Sequence, residues 1–224
     1  MNHTKFETEQ EWIDALIAKW RELGTEALNA RGTFYVSLSG GSSPESFYKA
    51  LAKTDWPWSS TVLFIGDERW VPSDHADSNY RMIYECFYPH KIRLERWRTE
   101  LAKPEEAALD YRRRISKELG HPPRFDLVLL GVGNDGHTAS LFPGTPALLE
   151  DSHYTTQCWV PQVDGVRLTM TYRLFFQARE ILFVSKGAGK QEWLTKLETK
   201  TDTTFPAARI ESKSELLSIY NCVK

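Results

Sequence analysis

The run Phe125 to Thr145, FDLVLLGVGNDGHTASLFPGT, constrains this chain more than any other stretch. Its first half, Phe125 to Leu130, is short, dominated by apolar residues and free of polar alternation, as expected of a strand buried on both faces of a parallel sheet. Gly131, Gly133 and Gly136 end it abruptly, and Asn134, Asp135 and His137 crowd into the turn between them. Ligands of open α/β sheets gather at the carboxyl ends of the strands, so an Asp and a His in one tight turn there read as chemistry. The three glycines also spell G-x-G-x-x-G, the dinucleotide fingerprint. That fingerprint normally opens a fold, and wants an acidic residue closing a second strand about 20 residues on. Here a proline- and glycine-broken loop follows, with Glu150 and Asp151 too early. Three readings compete at this point: that fingerprint, a strand–turn–helix corner with a satisfied surface histidine, and a catalytic site at His137.

With 224 residues, 41% hydrophobic and 26% charged, the chain has ordinary globular composition. No internal repeat or linker divides it, which predicts a single domain over residues 1–224. The formal charge of −2 leaves no basic footprint for nucleic acid or an anionic membrane. Any anion must therefore be bound locally. Cys86, Cys158 and Cys222 are odd in number and far apart, which points to a reducing cytosol and away from a disulfide framework or structural zinc site. The amino terminus, MNHTKFETEQEW, is polar and acidic, and no apolar run approaches a membrane span, so a cytoplasmic location is expected.

Apolar residues at spacings of three and four predict a helix from about Thr8 to Ala30, broken by Gly32. Thr33 to Leu38 reads as a strand. It runs into Ser39-Gly40-Gly41-Ser42-Ser43-Pro44-Glu45, where Ser42 and Glu45 have the spacing of a capping box and Pro44 suits a first helical turn. A glycine turn feeding a helix start offers unpaired N–H groups and a positive dipole end to an anion. Thr61 to Ile65 is a second buried strand, and the charges Asp67, Glu68 and Arg69 beyond it are expected to face the same crevice. A helix follows from Asn79, with Met82, Ile83 and Phe87 on one side. The basic stretch from Pro89 to Lys103 reads as solvent-facing, and Pro104 to Leu119 as a helix.

Beyond the central stretch, Thr155 to Val160 and Val166 to Thr171 are predicted strands. In the second, Arg167, Thr169 and Thr171 share a polar face turned to ligand or water. Ile181 to Ser185 is another buried strand, and Gly187 to Lys190 opens a helix, with Lys190 a second candidate anion contact. Ala207 to Ile210 is expected as a short strand and Ser214 to Tyr220 as a terminal helix. The pattern as a whole predicts a doubly wound, mostly parallel sheet with helices on both faces.

Strands thus end in glycine-polar loops at Ser39–Pro44, Gly66–Pro72, Gly131–His137 and Gly187–Lys190. In these loops the chain resembles the 6-phosphogluconolactonase family, cytosolic enzymes of the pentose phosphate pathway. The resemblance is carried by Gly131 through Gly144, by Ser39 to Pro44, and by Gly66 to Arg69 with Val71-Pro72. Ser78-Asn79, Arg167-Leu168-Thr169, and Gly187 with Lys190 add weaker matches, and the tail departs, lacking the usual Trp and Asp near Leu216 to Tyr220. A sister family, the glucosamine-6-phosphate deaminases, continues after the histidine with extra acids for ring opening, where this chain has Thr138 to Pro143. A sugar-phosphate sensor on the same scaffold would need no Asp–His turn.

The resemblance implies hydrolysis of 6-phospho-D-glucono-1,5-lactone without metal or cofactor, on a small phosphorylated lactone, by a monomer or weak homodimer. It places the general base at His137, whose imidazole type titrates near neutrality when unperturbed. Asp135 is the candidate to orient that ring, and Arg69 faces either the carbonyl oxygen or the phosphate. The phosphate is expected on Ser39, Gly40, Gly41, Ser42 and Ser43, helped by Arg167 and Lys190, with Asp67 also binding substrate.

Overall fold

The computed structural model describes residues 2–187, 191–199, 204–210 and 217–223. The chain runs β1 (Asn2–Phe6), α1 (Glu9–Arg31), β2 (Phe34–Leu38), α2 (Glu45–Ala52), β3 (Thr61–Ile65), β4 (Asp67–Arg69), α3 (Asn79–Phe87), β5 (Arg93–Glu95) and α4 (Pro104–Leu119). It continues through β6 (Leu127–Leu130), β7 (Thr155–Val160), β8 (Gly165–Met170), α5 (Tyr172–Phe175), β9 (Glu180–Lys186), α6 (Gln191–Thr199) and β10 (Leu217–Cys222). Local chemistry starts and stops α1. The Thr8 hydroxyl accepts from the Glu11 amide while the Glu11 carboxylate accepts from the Thr8 amide, and Gly32 closes the helix at φ 71°.

Seven strands form one parallel sheet in the order β1-β10-β9-β6-β2-β3-β5. From β2 the chain steps outward to β3 and β5, then returns to the other side of β2 for β6, β9 and β10. The winding direction therefore reverses between β2 and β6, and the crevice above their carboxyl ends is where such sheets take ligands. Helices cover both faces. Trp20 of α1 meets Phe34 edge-on at 5.1 Å. Tyr111 of α4 lies 6.4 Å from Phe64, which pairs with Ser37, three residues along from Phe34 and so on the opposite face.

A second, antiparallel sheet of three strands, β4-β8-β7, stands beside the carboxyl edge. Gly66 joins the two: its amide donates to Leu38 O at 2.9 Å and its carbonyl accepts from the Met170 amide at 2.9 Å. The chain can thus leave β3 and enter β4 within one residue, which carries Asp67 and Arg69 directly over the crevice.

Several expectations are corrected. Leu217 to Cys222 is a parallel strand filling the gap between β9 and β1, not a helix; its residues are buried on both sides, so a short apolar run carried no helical stripe. Residues 206–209 form a 3-10 turn rather than a strand, because Pro206 opens it. The basic stretch read as solvent-facing contains β5 and the buried Trp97, whose Nε1 donates to Ile65 O at 2.9 Å and whose ring lies 4.2 Å from Tyr111. The Ser42–Glu45 capping box does not form; α2 begins after Pro44 with no side-chain cap.

Trp97 thus closes the sheet edge beside β3. Trp97→Ala is expected to cost about 3–5 kcal/mol, as for other fully buried aromatics. Urea unfolding monitored by circular dichroism measures this, and a loss below 1 kcal/mol would return the segment to the solvent-facing class.

Candidate active site

A cleft of about 220 Å³ lies where the loops after β2, β3 and β6 converge. Ser39, Gly40, Gly41, Ser42, Ser43, Asp67, Arg69 and His137 all line it. Three loops far apart in sequence are therefore brought to one place, as the sheet topology requires.

The β6 loop is built around His137. The Gly133 amide donates to His137 O at 2.9 Å and the Gly136 amide to Gly133 O at 3.0 Å, closing a tight turn. Gly136 sits at φ 82°, where a side chain would also collide with the Phe205 ring, so no other residue fits. The Ala207 amide donates to Gly136 O at 2.9 Å, bracing the turn from the carboxyl-terminal part of the chain. The His137 ring stacks on Phe142 with centroids 4.0 Å apart and planes 21° from parallel. Asp135 Oδ1 accepts from the His137 amide at 3.1 Å and lies 2.5 Å from His137 Nδ1. That carboxylate selects the tautomer with the proton on Nδ1, which leaves Nε2 as an acceptor. Asp135 itself is not a wall of the cleft; it acts on the ring that is.

The β2 loop leaves a row of donors unpaired. The amides of Gly40, Gly41, Ser42 and Ser43 donate to no partner among the described residues, and Gly41 holds φ 88°. Ser39 is buried, and its Oγ has no hydrogen-bond partner there either. Successive free amides in a turn that leads into a helix form an anion-binding concavity.

The β3–β4 loop divides its charges. Asp67 and Arg69 face the cleft, but Glu68 turns away, a correction to the expectation that all three share it. Glu68 accepts from the amides of Arg69 (2.9 Å), Asn79 (2.8 Å) and Tyr80 (2.8 Å) and from Ser78 Oγ (3.2 Å), which ties the start of α3 to β4. Burial raises the pKa of this carboxyl, against the pull of those amides. Arg69 Nη1 donates to Asp77 O, and Arg167 stands opposite Arg69 in the β4–β8 ladder. Burial, and then the neighbouring Arg69 charge, hold Arg167 below its ordinary pKa, so a bound anion would relieve both arginines. Arg167 is not a wall of the cleft as it stands. Thr169 and Thr171, expected to face ligand or water, are both buried. Lys190 lies outside the described residues.

Asn79 and Ala139 also line the cleft and were not singled out for the site. Asn79 was visible only as part of a weak motif. Ala139 takes φ 48°, a left-handed conformation that its side chain gave no reason to expect. Among the described residues no three His, Cys, Asp or Glu side chains gather closely enough to hold a metal ion. No described helix is long and apolar enough to cross a membrane.

Comparison with known proteins covers most of the chain. Residues 7–218 match the family described as glucosamine-6-phosphate isomerases/6-phosphogluconolactonase. The chain is 39% identical over 204 residues to a 6-phosphogluconolactonase of Synechocystis, covering 86% of this chain and 84% of that protein. It is 35% identical over 202 residues to one of Nostoc, covering 85% and 83%. The crystal structure of 6-phosphogluconolactonase from Thermotoga maritima superposes with a TM-score of 0.87 at 28% identity, covering 100% of this chain and 99% of that one. The chain belongs to the glucosamine-6-phosphate isomerase/6-phosphogluconolactonase family.

Proposed function

We propose that the chain, folded as one domain over residues 1–224, is a cytoplasmic 6-phosphogluconolactonase, acting as a monomer or weak homodimer on 6-phospho-D-glucono-1,5-lactone. The observation that carries this reading is His137, held by Asp135 from behind, on a cleft whose other wall is a row of free amides. One wall can move a proton and the other can hold a phosphate. Of the two sugar-phosphate activities in the family, the relatives named above favour the lactonase. The acids that a deaminase carries after its histidine are replaced here by Thr138 to Pro143.

In this reading a water molecule lies between His137 Nε2 and the lactone carbonyl carbon. Nε2 takes a proton as the water oxygen forms its bond to that carbon, and the carbonyl electron pair moves onto oxygen. Arg69 stabilises the oxyanion or, in the other assignment, the phosphate. The tetrahedral intermediate then breaks its bond to the ring oxygen, which takes the proton back from His137, and the acid product ionises. Asp135 holds the ring in the required tautomer and stabilises the imidazolium between the two transfers. Ser39 to Ser43, Arg167 and Lys190 bind the remote phosphate.

His137→Ala should lower kcat by about 10²–10⁴-fold, the range for positioned proton transfer, with KM little changed. His137→Asn should be nearly as poor, and the wild-type rate should fall as the pH is lowered enough to protonate the ring. A folded His137→Ala protein keeping more than about a tenth of wild-type kcat would remove the general base.

Phosphate contacts are remote from the ester and nearly equal in ground and transition states, so Arg167→Ala and Lys190→Ala should raise KM more than they lower kcat. Unphosphorylated gluconolactone should be a poor substrate. Equal efficiency on both lactones would overturn the phosphate assignment.

The reaction as written uses only side chains and water, so EDTA should leave the rate unchanged. Loss of activity on chelation, restored by one divalent ion, would contradict it.

A further inference from the structure

Four carboxylates are buried among the described residues: Asp67, Glu68, Asp126 and Glu180. Three have evident compensation. Asp126 lies 2.6 Å from Arg31 and 3.2 Å from Arg179, Glu180 lies 3.3 Å from Lys19, and Glu68 accepts from the donors named above. Asp67 differs in how few donors reach it: it is 8% exposed, has no ion-pair partner among the described residues, and its carboxylate is met by two side chains where that of Glu68 is met by four donors. Ser140 Oγ donates to its Oδ2 at 2.6 Å, and Asn79 Nδ2 reaches Oδ1 only at 3.4 Å while donating to the Asp67 carbonyl at 2.8 Å. A carboxylate has about four lone-pair positions, and a buried charge left short of donors is costly. Asp67 also walls the cleft, so the missing donor has a way in.

We propose that Ser140 is a positioning residue which, with Asn79, sets the Asp67 carboxylate to accept a hydrogen bond from a ring hydroxyl of the substrate. Ser140 is suited to this because it cannot turn elsewhere. It is 1% exposed, and its amide donates to Thr169 Oγ1 at 3.3 Å, the residue opposite Asp67 in the β4–β8 ladder. Thr169 Oγ1 in turn donates to Met170 O at 2.8 Å. The left-handed Ala139 just before it turns the chain from His137 toward Asp67. The same short segment therefore carries the proton-transfer ring on one side and the hydroxyl acceptor's anchor on the other. This rests on the lactonase reading and extends it to the choice among lactones.

The test compares kcat/KM of wild type, Ser140→Ala and Asp67→Asn on 6-phosphogluconolactone and its 2-, 3- and 4-deoxy analogues. Wild type should prefer the parent over one deoxy analogue by about 10–100-fold, the worth of a hydrogen bond to a charged group. Ser140→Ala and Asp67→Asn should shrink that preference to within about threefold of unity, with the deoxy analogue itself turned over nearly as by wild type. A purely structural role would slow all four substrates alike and leave the preference intact, which would overturn the proposal. A wild type that hydrolyses the lactone with no preference would overturn this proposal alone. A wild type that hydrolyses none of the lactones would overturn the functional reading and this proposal with it.

Discussion

The contact between Asp135 and His137 Nδ1, 2.5 Å long and contained within a turn of a few residues, sets what the rest of the molecule must supply. A carboxylate two residues before a histidine reaches its ring only if the backbone folds back sharply, and Gly133 and Gly136 make that fold. The turn then needs a wall that a side chain would spoil. Phe205 fills the space over Gly136 and Ala207 bonds its carbonyl, while Phe142 lies flat against the imidazole. Residues more than 60 positions downstream are thereby committed to holding a ring near the centre of the sheet. The sheet places this turn beside the β2 loop, because the winding reverses between β2 and β6.

A chain with a formal charge of −2 can still hold a dianion if its positive groups are gathered and its negative groups spent. Glu68 is spent on the start of α3, and Asp135 on the His137 ring. Asp126 and Glu180 are paired at the amino ends of the strands, away from the cleft. Arg69 and Arg167 are brought together by strand register despite their repulsion, which burial sharpens. The amides from Gly40 to Ser43 add partial positive charge at no cost in net charge. Asp67 is the negative group that stays on the cleft wall, and it is held by neutral donors.

Much of this was legible in the residues. Strand Thr61–Ile65 and helix Pro104–Leu119 have the bounds that apolar pattern and an opening proline predict. The central turn, the SGGSS loop and Arg69 announced themselves as glycine-polar breaks after apolar runs. What escaped was structure whose signal is not local. The strand Asn2–Phe6 is polar and lies at a sheet edge, so no alternation marks it. The strand Leu217–Cys222 is buried on both faces, and a short apolar run of that kind does not separate strand from helix. Asn79 reads in the sequence as a helix start within a weak motif, and Ser140 as one residue of the central signature, neither with a visible partner. Their partner, Asp67, is 12 and 73 residues away, a pairing that only the assembled sheets bring about.

The central claim is that this cleft opens a phosphorylated lactone with water. Its most direct measurement is acid release from freshly prepared 6-phosphogluconolactone, corrected for spontaneous hydrolysis, run beside ammonia release from glucosamine 6-phosphate. Enzyme-dependent acid from the lactone, with no ammonia from the amine, is the predicted result. Ammonia from the amine, or binding of either sugar phosphate with no turnover, would contradict it.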